Sequence, residues 1–185
     1  MPDNAMPGTG SKILAPGLGR QLVWLVLTVL VVVFDQATKY IADEVLSYAR
    51  PVEILPVFDL MLVYNKGAAF SFLSEAGGWQ RWFFTALSAG VSVMLVAWLY
   101  RLKRHETWVA IGLALILGGA LGNLYDRVMF GYVIDFVSLH YREYYFPAFN
   151  VADSAISAGA IMLIIDLVFL SGKDKDDATS EGEIS

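Results

Sequence analysis

The 185-residue chain contains no cysteine. That excludes disulfides, thiolate metal sites, thiol nucleophiles and lipidation on the chain's own cysteine, and it leaves the redox compartment open. Histidine is almost as scarce: His105 and His140 are the 2 present, too few for a histidine-rich metal centre. Charge is sparse as well, at 17% of residues, and leans acidic, with 13 basic against 18 acidic side chains and a formal net charge of -5. A nucleic-acid partner would need a basic patch or stripe, and no such stripe is present, so no nucleic acid is expected to bind. Length alone suggests about one domain. What fills it is apolar: 57% of residues are hydrophobic, which is not the composition of an ordinary soluble domain.

The apolar residues lie in long runs. Trp82 to Tyr100 and Thr107 to Tyr125 each carry no Asp, Glu, Lys, Arg or His, and each is close to the ~20 residues needed to cross about 30 Å of hydrocarbon. Gln21 to Phe34 is shorter, but it continues through Asp35, Gln36 and Lys39 to Ile41, a workable span if those polar groups face protein. Ser154 to Leu170 is similar, interrupted by Asp166. The expected fold is an all-α polytopic membrane protein, with four transmembrane helices and a small extracytoplasmic β-rich subdomain. Lys12 and Arg20 before the first apolar core would also suit a cleavable signal peptide, but DQATKYIADE follows without a small-residue cleavage site, and three more spans come after it. An uncleaved helix is the simpler reading.

Lys12, Arg20, Arg101, Lys103, Arg104, Lys173 and Lys175 cluster at the flanks that would share the cytoplasmic side, so both termini are expected inside. Trp98, Tyr100 and Trp108 then fall near the inner interface, and Trp79 and Trp82 near the outer one. The chain divides into a cytoplasmic N-terminal segment 1–20, a membrane domain 21–171 and an acidic, disordered cytoplasmic tail 172–185. The outer insertion, 43–80, is expected to hold the β-rich unit. Within it Val52 to Tyr64 is β-prone and broken by Pro56, Asn65-Lys66-Gly67 reads as a turn, and Ala68 to Leu73 as a returning strand. Tyr141, Tyr144 and Tyr145 in the second outer connection suit a headgroup layer.

Ionisable groups at membrane depth are expensive and face partners or cavities. Asp35 and Lys39 are four apart on one helical face and can pair, which a structural salt bridge would also explain. Asn123 and Arg127 share a face of span three above Gly118, Gly119 and Gly122, small residues that let another helix approach. Asn150 can cap span four, placing Asp153 in its first turn, where the helix dipole favours a carboxylate. Upstream, Asp135 sits between Ile134 and Phe136 in an apolar, β-prone stretch and needs a partner. The connector between Asp135 and Asp153 is long enough to fold back, so the two carboxylates could converge. No G-x-S-x-G elbow and no H-E-x-x-H is present, whereas a close carboxylate pair would share one proton and could hydrolyse a peptide by acid/base chemistry. The same pair could bind a proton or cation in a small coupled transporter, or serve a membrane scaffold.

Four blocks in order carry more information than their parts: FDQATKY at 34–40, NKGAAFSFL at 65–73, GGALGNLYDRVMFGYVIDF at 118–136 and FNVADSAIS at 149–157. With them the sequence resembles the lipoprotein signal peptidases, also called signal peptidase II. The resemblance implies a bacterial inner-membrane aspartic endopeptidase with its active site near the outer face and no cofactor. It implies as substrate a diacylglyceryl-modified prolipoprotein held in membrane lipid, cut on the amino side of the lipidated cysteine. It also maps catalysis to Asp135 and Asp153, and support or substrate binding to Asp35, Lys39, Asn65, Gly67, Asn123, Arg127 and Asn150. Asn65, Asn123, Arg127 and Asn150 are expected to donate to the substrate backbone and the catalytic carboxylates. Asp126 is expected to be structural, His140 a surface or hydrogen-bonding residue, and Asp166 non-catalytic. A monomer is the expected state.

Overall fold

The computed structural model describes residues 18–67 and 79–170. In chain order these form helix α1 (Leu18–Val45), strands β1 (Val52–Leu55) and β2 (Phe58–Asn65), helices α2 (Trp79–Arg101) and α3 (Thr107–Met129), strands β3 (Val133–Tyr141) and β4 (Tyr144–Tyr145), and helix α4 (Val151–Ile165). A π-helical turn, Asp166–Leu170, prolongs α4. All four helices are long and apolar enough to cross a membrane. Val26, Leu30 and Phe34 on α1, Phe83 and Val93 on α2, and Ile161 and Ile164 on α4 are exposed. Contiguous apolar surface of that kind needs lipid around it, so this is a multi-pass membrane protein. The expected spans are therefore present, and α1 continues through Asp35, Gln36 and Lys39 to Val45.

The bundle is organised around α3, whose spanning window is 61% buried against 11–17% for the other three. Small residues explain its position. A Cβ on Gly118 would meet Val31 Cβ of α1 at 2.6 Å, and one on Gly122 would meet Asp35 Oδ2 at 2.5 Å. On the opposite side Gly112 and Gly159 pack backbone to backbone, bringing α4 against α3. At the pole far from the sheet, Leu95, Leu99, Leu102, Val109, Leu113 and Leu117 form an apolar core between α2 and α3. There the indole of Trp108 donates to the Met162 carbonyl at 2.8 Å. Helix polarity alternates, so the end of α1, the start of α2, the end of α3 and the start of α4 meet at the sheet pole.

The strands form one antiparallel sheet in the order β1-β2-β3-β4. This corrects the expectation of a β-rich unit contained in the insertion 43–80. Both backbone edges of β2 must be paired, and β1 takes one while β3, from the connection between α3 and α4, takes the other. The returning strand expected at 68–73 lies outside the described residues, as do Lys12 and the tail from Ser171. At the junction of α3 and β3, the Phe130 and Gly131 amides both donate to the Asp126 carbonyl, at 2.8 and 3.2 Å. Gly131, at φ +85°, supplies the left-handed turn. From α2, Arg81 reaches over to donate to the Arg127 and Val128 carbonyls at 2.9 and 2.8 Å, satisfying the end of α3.

Candidate active site

Asp135 and Asp153 are brought together by a fold-back of backbone. After the β3–β4 hairpin the chain returns alongside β3, where Phe149 exchanges hydrogen bonds with Val137 at 2.9 and 3.0 Å. That pairing sets Asn150 beside Asp135 and starts α4 at the same place. Asn150 then caps α4: its Oδ1 accepts from the Asp153 amide at 2.9 Å, and Asp153 Oδ2 accepts from the Asn150 amide at 3.3 Å. The other end of the Asn150 amide, Nδ2, donates to Asp135 Oδ1 at 2.7 Å. One fully buried side chain thus touches both halves of the pair.

Each carboxylate has a second holder. Asn65, at the end of β2, donates through Nδ2 to Asp135 Oδ2 at 3.0 Å. Its own Oδ1 accepts the Gly67 amide at 2.9 Å, which fixes which way the Asn65 amide faces. Only glycine suits that position, because φ is +99° and a Cβ would stand 2.7 Å from the Phe84 ring. On the other side Asn123 of α3 donates through Nδ2 to Asp153 Oδ1 at 2.7 Å. Its Oδ1 receives Lys39 Nζ at 2.9 Å and Asn150 Nδ2 at 3.2 Å, so the Asn123 amide is oriented as well.

Asp135 is buried, 1% exposed, in the apolar setting of Val133, Ile134 and Phe136. Burial pushes its carboxyl up to about 7; the nearby Asp153 adds to the rise, while hydrogen bonds from Asn65 and Asn150 and the Lys39 charge oppose it. A group poised there can hold or release a proton near neutrality.

Beneath the pair lies a buried ionic cluster. Lys39 Nζ is 2.8 Å from Asp35 Oδ2 and 2.8 Å from Asp126 Oδ2. With Asn123 as third acceptor, all three ammonium donors are used. Asp35 and Asp126 are both 0% exposed. Pairing of Asp35 with Lys39 was legible in their spacing; Gln36 was missed. It donates to Asp126 Oδ1 at 2.8 Å, to Asp35 Oδ2 at 3.1 Å and to the Gly122 carbonyl at 3.3 Å. Its only signal in the sequence is a position adjoining Asp35 on a helix entering protein.

Arg127 is placed differently from the expectation of a direct donor to the carboxylates. Its Nη1 donates to the Asn123 carbonyl at 3.2 Å and its guanidinium lies 5.6 Å over the Phe84 ring. Its charge acts on Asp153 and Asp135 through space. His140 lies farther along β3, its Nε2 3.4 Å from Asp59 Oδ2 and its ring stacked on Tyr145. Asp166 opens the π-helical turn, roughly 20 Å deeper along the helix than Asp153 at 1.5 Å per residue. Among the described residues no group of three or more His, Cys, Asp or Glu side chains is arranged to hold a metal.

Two tethered carboxylates at one pole of four membrane-length helices define a class, the polytopic membrane proteins with a buried aspartate pair. Comparison with known proteins specifies it further. Residues 27–169 match the family described as Signal peptidase (SPase) II. A lipoprotein signal peptidase of Acinetobacter baumannii is 55% identical over 151 residues, covering 82% of this chain and 86% of that protein. The lipoprotein signal peptidase of Pseudomonas syringae pv. tomato is 54% identical over 169 residues, covering 90% and 93%. A bacterial membrane enzyme solved by the in meso method superposes with a TM-score of 0.70 at 32% identity, covering 83% of this chain and 95% of that one. The chain belongs to the signal peptidase II family and is a peptidase. The transporter alternative falls with that assignment.

Proposed function

We propose that the chain removes the signal peptide from diacylglyceryl-modified prolipoproteins, hydrolysing the bond on the amino side of the lipidated cysteine, with Asp135 and Asp153 as the catalytic pair. The observation that carries the pair is Asn150, hydrogen-bonded to Asp135 through its side chain and to Asp153 through both side chain and backbone. Asp135, pushed up to about 7, holds the shared proton. Asp153, in the first turn of α4 where the helix dipole favours negative charge, is the base. Asp153 takes a proton from water as the oxygen attacks the scissile carbonyl carbon, while Asp135 gives its proton to the carbonyl oxygen. Collapse of the tetrahedral intermediate breaks the C–N bond, and Asp153 returns its proton to the departing amine. Asp135 recovers its proton from the intermediate hydroxyl as the new carboxyl group forms.

The sheet pole faces the outside in this reading, with both termini cytoplasmic, segments 1–20 and 172–185 flanking a membrane domain at 21–171, and the diacyl chains remaining in lipid beside the bundle. A monomer suffices, because both carboxylates come from one chain. Arg127 offers its remaining donors to the substrate backbone.

Holding the substrate in the bilayer confines it near the site, so lipidation should govern rate. In detergent-free nanodiscs, the purified chain is expected to cleave a diacylglyceryl-modified precursor about 100-fold faster than the unmodified precursor. Equal rates would remove the lipid from the recognition. With the modified precursor, kcat/KM is expected to fall as pH rises through about 7, the value reached by Asp135, because the required proton is then lost. A flat profile to pH 9 would show that Asp135 does not carry it.

A further inference from the structure

The ionic cluster beneath the pair has a symmetry that helix packing does not require. Asp35 divides its two oxygens: Oδ2 meets Lys39 and Gln36, and Oδ1 accepts the Ala152 amide at 2.8 Å. Asp126 divides its own in a related way: Oδ1 accepts Gln36, while Oδ2 meets Lys39 and accepts the Ile134 amide at 3.2 Å. Ala152 immediately precedes Asp153, and Ile134 immediately precedes Asp135. Each carboxylate of the cluster therefore grips the backbone one residue before a member of the pair, and the two carboxylates are joined by the same ammonium and the same amide. Burying four polar side chains to pack two helices would be wasteful, since apolar residues of similar volume do that at least as well. Their arrangement makes sense if the backbone of β3 and that of α4 must be held at a set separation.

Building on the proposed catalytic pair, we propose that Asp126 and Gln36 are positioning residues that, with Lys39 and Asp35, set the spacing of Asp135 and Asp153 by holding the backbone N–H that precedes each. Lys39 adds a third tether through Asn123, whose amide it orients toward Asp153. The clamp's side chains lie on α1 and α3, beneath the carboxylate pair, so Asp126 and Gln36 act through the backbone they hold.

The test uses the full chain in nanodiscs with the diacylglyceryl-modified precursor. Gln36→Leu removes the amide that joins the two carboxylates without changing net charge. It is expected to lower kcat about tenfold with KM within about twofold, and Asp126→Asn to lower kcat about 100-fold, the scale of a sub-ångström to 1 Å misplacement. Because Gln36→Leu adds no charge, wider spacing should weaken the repulsion between the pair, moving the alkaline limb of the pH profile down by about half a unit. Wild-type kcat and an unmoved limb in folded Gln36→Leu and Asp126→Asn would overturn the clamp. So would activity that falls only in step with the folded fraction at an unchanged pH profile. Asp135→Asn in the same assay separates the two ideas: if it is inactive while both clamp variants behave as wild type, the clamp alone fails; if it cleaves normally, the catalytic pair fails.

Discussion

Asp153→Asn and Asp135→Asn, each purified and folded, are expected to lose about 10,000-fold in turnover of the diacylglyceryl-modified precursor. Both replacements keep the size of the side chain and part of its hydrogen bonding, so the loss reports chemistry more than structure. Asn at 135 resembles the protonated acid: it can still receive Asn65 or Asn150 at its oxygen and can donate to the substrate carbonyl. It cannot deliver a proton. Asn at 153 keeps an oxygen for the Asn123 amide, which lies 2.7 Å from Asp153 Oδ1, but it cannot take a proton from water. The fold should survive both. Asp135→Asn removes a carboxyl that burial has pushed up to about 7, so above that pH the variant should melt no lower than the wild type. Cleavage assays and thermal melts on the same preparations decide the matter: wild-type turnover in either folded variant would exclude the pair.

Lys39→Met is expected to unfold or nearly unfold the sheet pole, at a cost of about 3–5 kcal/mol. Methionine fills much of the same volume, so packing is not what fails. The loss is the cation that sits 2.8 Å from both Asp35 and Asp126, two carboxylates that are 0% exposed. Without it they must either face each other ionised in a medium that cannot solvate them or take up protons and lose part of their acceptor capacity. Ala152 and Ile134 would lose their acceptors with them. Replacing Lys39, Asp35 and Asp126 together by apolar residues should recover much of the stability but not the turnover, because an apolar core packs without aiming β3 and α4. A melt of Lys39→Met that matches the wild type would show the cluster to be far less confined than its burial indicates.

Several of these groups were readable before any coordinates. The 3.6-residue period puts Asp35 and Lys39 on one face, and the only partners at membrane depth are protein groups, so their pairing followed from helix geometry and the cost of burying charge. Asn150 as a cap with Asp153 in the first turn followed from local backbone chemistry, and the capping box bears this out. Arg127 illustrates the opposite case: its spacing from Asn123 put both on one face, yet the long side chain turned onto the Phe84 ring, a choice made by α2. Gln36 signalled only that it must face protein, not which carboxylates it joins, and the backbone amides of Ala152 and Ile134 had no sequence signal at all, since a main-chain N–H is the same at every residue.

From the sequence alone came the four apolar spans, the polar residues that could not face lipid, and the four blocks that mark the family, because hydrocarbon thickness, helical period and residue chemistry are all local in the chain. Only the tertiary structure decided that β2 pairs with β3 instead of closing its own subdomain, that Phe149 lies along β3, and that Asn150 bridges residues 135 and 153. Those outcomes depend on which backbone edges remain unsatisfied once the helices have packed, and the chain cannot express that competition position by position.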